Sequence, residues 1–214
     1  MPTQKPIIFN SEMVRAILDG RKTQTRMLVK PQPEHVDRYA GDSWPCMWQD
    51  KPPGCDTLKR MVAPLGTIGD RLWVRETWGL MSYRDTTDWC GYSIKDVSEA
   101  ELRERFLVEH AANWNLPNES AYWRPSIHMP RWASRITLEI TGVHVERVQE
   151  ISGSDVQAEG IQVPRCECEV CSQQASICRA DEGVYVEAFR NLWQSIYTNW
   201  DANPWVWVYE FRKL

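Results

Sequence analysis

The run from Ile136 to Arg147 constrains the fold most. Ile136, Leu138 and Ile140 fall on one face of an extended chain, and Val143 and Val145 resume the apolar set after Gly142. A period of two marks a half-buried strand, and a glycine in mid-run marks a bulge where the chain bends. A long bent strand is what a small β-barrel needs to close. Shorter strands that could pair with it are read at Lys5 to Phe9, at Arg71 to Trp78 and at Trp205 to Phe211. Helical spacing recurs between them, so the expected class is α+β, a small barrel with flanking helices.

The chemistry concentrates in Ser11 to Arg26. Ser11 is read as an N-cap, and Met13, Val14, Ala16, Ile17 and Leu18 form an apolar face that ends at Gly20, a residue suited to a helix stop. Beyond it stand Arg21, Lys22, Thr23, Gln24, Thr25 and Arg26. One reading is a solvated cap on a helix C-terminus, which carries partial negative charge. The other is a site, because a lysine beside a hydroxyl can act as a base or an oxyanion partner.

Glu76 is unusual as a carboxylate on the apolar face of its strand, where it either pairs with a nearby arginine or touches ligand. Ser98 and Glu101 form an S-x-x-E capping box that predicts a helix over Ser98 to Ala112, with His110 on its face or at its end. Trp123 to Arg135 carries Arg124, Ser126, His128, Arg131 and Trp132, and its two prolines keep it from being a helix or a central strand. An extended loop with arginines between aromatics can grip phosphates and bases, and these residues are candidate ligand contacts. Further helices are expected over Asp155 to Glu159, capped by Ser152 to Ser154 and stopped by Gly160, and over Val186 to Tyr197.

Seven cysteines without a secretory signal do not suggest a disulfide framework. Cys166, Cys168, Cys171 and Cys178 crowd one polar loop, as expected of a structural tetrahedral zinc ion that fixes a loop unable to bury a core. Cys46 and Cys55 are able to replace one or two of those ligands, free thiols are the alternative, and Cys90 reads as a small buried hydrophobe.

A net charge of −4 argues against a surface that coats duplex nucleic acid. Charge is uneven, with a basic stretch at residues 11 to 30 and an acidic one at 150 to 187, which suits a small or single-stranded anionic ligand. No apolar run is long enough for a membrane helix, and MPTQKPIIFNSEM lacks a signal-peptide core, so a cytoplasmic protein is expected. P-loop, dinucleotide and nucleophile-elbow motifs are missing from the sequence.

Gly20 to Arg26 resembles the G-R-K-T-x-T-x-R signature of the ASCH domain, a small β-barrel family of the PUA-like superfamily. Gly69 to Val74 is similar to that family's G-D-x-L-x-V strand, and Trp205 to Phe211 to its closing strand. Ser126 to Ser134 and the tryptophan-rich end most resemble the longer ASCH proteins of phages and prophages, although Met27 stands where the family often has a second basic residue. The resemblance implies a single PUA-like domain over 1–214 with insertions at about 31–65, 79–125 and 162–183, in the cytoplasm of a bacterial host.

Small ASCH enzymes remove the acetyl group from N4-acetylcytidine with a threonine nucleophile, a lysine and a glutamate. Carried over, these roles fall on Thr25, Lys22 and Glu159, with Arg21 and Arg26 as anion contacts and no cofactor needed for catalysis. Lys22 would deprotonate Thr25, which requires a turn or bulge at Thr23-Gln24, since residues three apart in a strand face opposite ways. The alternatives are a non-catalytic module that binds single-stranded RNA or a modified nucleotide, a metal-independent ribonuclease, and a phage–host contact built on the insertions.

Overall fold

A computed structural model describes residues 2–33, 36–37, 47–49, 58–60, 62–82, 98–114, 123–163 and 180–214. The architecture is α+β. Its centre is a five-stranded sheet built from β1 (Gln4–Ile8), β2 (Gln24–Leu28), β6 (Arg71–Arg75), β9 (Thr137–Arg147) and β10 (Trp205–Lys213), in the order β1-β6-β9-β10-β2. The β1–β6 pair is parallel and the others are antiparallel. Among the described residues the order is open, with β1 and β2 at its edges. A small antiparallel sheet joins β3 (Val36–Asp37), β4 (Met47–Gln49) and β5 (Leu58–Arg60), and a separate hairpin pairs β7 (Trp78–Ser82) with β8 (Phe106–His110).

β9 is long because its alternation serves two partners, β6 along its first residues and β10 along its whole length. Glu210 lies opposite Gly142 and Phe211 opposite Ile140, so Thr141 is the extra residue of a bulge where the glycine signalled one. One sheet face buries Ile7, Leu72, Val74, Leu138, Ile140, Val145, Trp207, Tyr209 and Phe211 against Val14 and Ile17 of α1 (Ser11–Leu18). The other buries Val206 and Val208 against Val156 of α3 (Gly153–Ala158) and Phe189 and Trp193 of α4 (Ala180–Tyr197). No helix among the described residues is long and apolar enough to cross a membrane.

Three local expectations are corrected. The N-cap of α1 is Asn10, whose side chain accepts the Met13 N–H, and Ser11 is the first helical residue. The helix expected over Ser98 to Ala112 ends at Arg105 as α2 (Glu99–Arg105), and Phe106–His110 turns into β8. The edge of β7 offers that segment ladder hydrogen bonds, and its phenylalanine and valine favour a strand, so tertiary pairing overrides the helical spacing. The strand expected over Arg71 to Trp78 breaks at Glu76-Thr77 into β6 and β7.

That break explains the misplaced carboxylate. Glu76 is 1% exposed and receives both Arg135 Nε and Nη2 at 3.0 Å, a bidentate pair of the kind that satisfies a buried charge. His110 lies close by, with Nε2 3.1 Å from the Ala133 carbonyl, and burial pushes its pKa down.

Tyr209 is fully buried, and its hydroxyl accepts the Leu65 N–H at 3.0 Å. Tyr209→Phe removes that acceptor and leaves a buried donor unpaired, at an expected cost of about 1–3 kcal/mol in urea unfolding. A cost near zero would show that water replaces the hydroxyl.

Candidate functional site

Two helix ends build the site. Gly20, at φ +74, reverses the chain after α1, so the N–H groups of Arg21 and Lys22 both return to the Ala16 carbonyl at 2.8 and 3.0 Å. The second end is α3, begun by a reciprocal capping box between Ser152 and Asp155 and closed by Glu159 and then Gly160 at φ +86. A Cβ on Gly160 would stand 2.8 Å from the Ala16 Cβ and 2.9 Å from the Lys22 Cβ, so glycine is what lets the two ends touch. Backbone pairing of Lys22 with Glu159, and a 2.7 Å bond from Thr23 N–H to the Ala158 carbonyl, lock them together.

Lys22 is 2% exposed. Its Nζ donates to Glu159 Oε2 at 2.7 Å, to the Glu159 carbonyl at 2.9 Å and to the Gln24 carbonyl at 2.8 Å, three acceptors for the three protons of an ammonium. Glu159 Oε1 accepts from Arg26 Nη1 at 3.2 Å, so one carboxylate bridges two buried cations. Arg26 Nη1 also donates to Gln24 Oε1, its Nε to Glu146 Oε1 at 2.7 Å, and its Nη2, without a hydrogen-bond partner, faces Asp155 Oδ2 at 3.6 Å.

Burial alone would raise the Glu146 carboxyl, but His144 and Arg26 outweigh it and hold it below its ordinary 4.5. Asp155 behaves alike, its desolvation outweighed by Ser152, Arg26 and Gln24, which hold it below 3.8. The Tyr197 hydroxyl is pushed up by burial and by the Glu159 charge.

Of the residues singled out for catalysis, Lys22 and Glu159 meet across 137 positions of sequence. Thr25 follows on β2 and is 7% exposed. Gln24 and Arg26 belong to the face that carries the carboxylates, and alternation puts Thr25 on the opposite face with Met27, which packs into the core beneath α1. Lys22 Nζ gives its three hydrogen bonds to Gln24 and Glu159 and none to Thr25.

Arg21 is one-third exposed on its side chain, pairs with Asp19 at 2.8 Å and donates to the Gly160 carbonyl. It enters a cleft of about 740 Å3 walled by Ala158, Gly160, Ile161 and Tyr185 among others, directly beside Glu159.

The remaining ligand candidates gather elsewhere, around β6 and β7. Arg124 pairs by backbone with Trp78 and lies 5.7 Å from its ring, Trp132 packs edge-on against Trp78, and Arg131 lies over Trp73. Ser126 and His128 form one turn of 3-10 helix, and Glu76 is committed to Arg135. Cys166, Cys168, Cys171 and Cys178 lie outside the described residues, as do Cys46, Cys55 and Cys90. Among the described residues no group of three or more His, Cys, Asp and Glu could hold a metal.

Sequence reasoning missed Glu146, His144 and Asp155. Alternation along β9 assigns Glu146 to the face opposite Val145, and the capping box marks Asp155, but neither signal names Arg26 as the shared partner. No family model, curated protein or solved structure matches the chain.

Lys22→Met strips one buried carboxylate of its nearer cation and is expected to cost about 3–5 kcal/mol in urea unfolding; a loss below 1 kcal/mol would mean that solvent reaches the pair. Glu146 and Asp155 both have folded pKa values below their unfolded ones, so the stability they contribute is present at neutral pH. It is lost as pH falls below 4.5 for Glu146 and below 3.8 for Asp155. Glu146→Gln should flatten the acid limb of a stability profile, and an unchanged slope would remove Glu146 as its source.

Proposed function

We propose that the chain is an ASCH-type nucleoside- or nucleic-acid-binding protein on a PUA-like barrel, and that its activity is removal of an N-acyl group from a modified, N4-acetylcytidine-like nucleoside. The observation that carries this reading is the buried Lys22–Glu159 contact of 2.7 Å, whose chain neighbours Ala158 and Gly160 line the Arg21 cleft. Buried ion pairs are seldom the most stable way to fill space, so a lysine, a carboxylate and a second buried cation beside a cleft point to function.

The reaction proceeds in two balanced steps. Lys22 passes a proton to Glu159 along the short contact, and Thr25, which faces the core beneath α1, must turn about Thr23-Gln24 to bring its hydroxyl to the neutral amine in place of the Gln24 carbonyl. Thr25 Oγ then attacks the acyl carbon, the C–N bond breaks, and the proton taken from Thr25 leaves on the nucleoside amine. Water next hydrolyses the threonyl ester, releasing the carboxylic acid and restoring the hydroxyl. Arg21, one-third exposed at the cleft, holds the developing oxyanion or a phosphate attached to the nucleoside.

One observation favours the non-catalytic module instead, namely that all three Nζ protons of Lys22 already have acceptors within the protein.

Mass-spectrometric turnover of N4-acetylcytidine and related N-acyl nucleosides separates the two. Deacylation by the wild type, reduced at least about 100-fold in Thr25→Ala and Lys22→Met while both variants keep a cooperative thermal transition, is the expected result. Intact substrates with nucleoside binding that survives Thr25→Ala would establish the binding module and end the hydrolase reading.

A further inference from the structure

Helices α3 and α4 cover their side of the sheet only over β2, β10 and the C-terminal part of β9. Among the described residues neither helix reaches over β1 and β6 on that side. Register places Gln4 beside Arg71, Pro6 beside Trp73 and Ile8 beside Arg75, with Thr137 and Glu139 next along β9 and Arg212 beyond Glu139. Their alternates Ile7, Leu72 and Val74 are core residues, so this second set faces outward. Gln4, Pro6, Arg71 and Arg212 are exposed, and Ile8 is 52% exposed.

Two arginines are held in place on this face. Arg75 lies 4.7 Å from the Trp73 ring and donates to the Ile127 carbonyl at 3.2 Å, while its buried Nε has no hydrogen-bond partner. Arg131 lies 5.8 Å from the same ring and reaches Gln4 and Thr137 at 3.4 and 3.3 Å. Ile127, 59% exposed, extends the apolar patch begun by Ile8 and Pro6. Among the described residues, Arg71, Arg75, Arg131 and Arg212 stand here with Glu139 as the one acid on these strands, which Arg212 already bridges at 2.6 Å, in a chain of net charge −4.

We propose that this open sheet face docks an acidic, amphipathic segment of a partner protein. Stacked arginines have lost much of their side-chain freedom and present rigid forks to carboxylates, and the isoleucines between them take apolar side chains. A single nucleic acid strand fits less well, because it needs open aromatic rings on which bases stack, and Trp73 is only 8% exposed beneath its two guanidiniums. Strand addition at the β1 edge is also disfavoured. Thr3 and Phe9 bond to β6, so Pro6 falls in the outward register and offers no N–H there. The partner therefore lies across the face rather than along its edge.

The test uses the full chain and a fluorescein-labelled amphipathic peptide of glutamate and leucine, with a glutamate–serine peptide of equal charge and oligo-uridine as comparisons. Anisotropy titrations should show the glutamate–leucine peptide bound best, weakened about 10-fold or more by Arg71→Glu or Arg131→Glu and several-fold by Ile8→Ser. Arg190→Glu on α4 changes net charge equally and should leave affinity unaltered, and melting curves verify that each variant is folded. Equal binding of the glutamate–serine peptide, tighter binding of oligo-uridine, equal loss in Arg190→Glu, or failure of the wild type to bind the peptide would each overturn the proposal.

Discussion

The ion pair between Lys22 and Glu159 is the contact on which the arrangement of this protein depends. A lysine ammonium at 2% exposure is tolerable only where acceptors replace its water, and the three it finds come from two segments far apart in sequence. Satisfying them forces the end of α1, the start of β2 and the end of α3 into one place. Gly20 and Gly160 follow from the same demand, since both turns need left-handed backbone and the second has no room for a side chain.

Arg26 extends the pair into a network. Its guanidinium touches Glu146 from β9, Glu159 from α3 and Gln24 from its own strand, so three elements are tied by charge where the helix-covered face of the sheet is otherwise apolar. A buried network of this kind holds its geometry best when every member is partnered. Arg26 Nη2 is the member with no hydrogen bond, and it faces Asp155 at the rim.

The sheet divides the molecule's surface as unevenly as its interior. One face is closed by α1 and the other is half closed by α3 and α4, because α4 brings Phe189 and Trp193 onto Val206 and Val208 and reaches no further. Where neither α3 nor α4 reaches, Arg75 and Arg131 lie over Trp73 and cover the strands instead, their side chains and the ring shielding each other.

Local chemistry made much of this legible. Period-two spacing in β9, the bulge at Gly142, the stop of α1 at Gly20 and the cap of α3 at Ser152 each follow from near neighbours in the chain, and each is where the sequence says. Pairing of Glu76 with an arginine was foreseeable because an ionised carboxylate at 1% exposure has few other ways to exist. Which arginine, and that Phe106–His110 forms a strand rather than the last turns of a helix, depended on the free edge of β7 and on Arg135 arriving from a distant segment. The sequence by itself determined which residues had to be buried and where the chain had to turn. Tertiary structure alone decided which buried charge met which, because an ion pair carries no sequence period and is chosen only when distant segments share the same space.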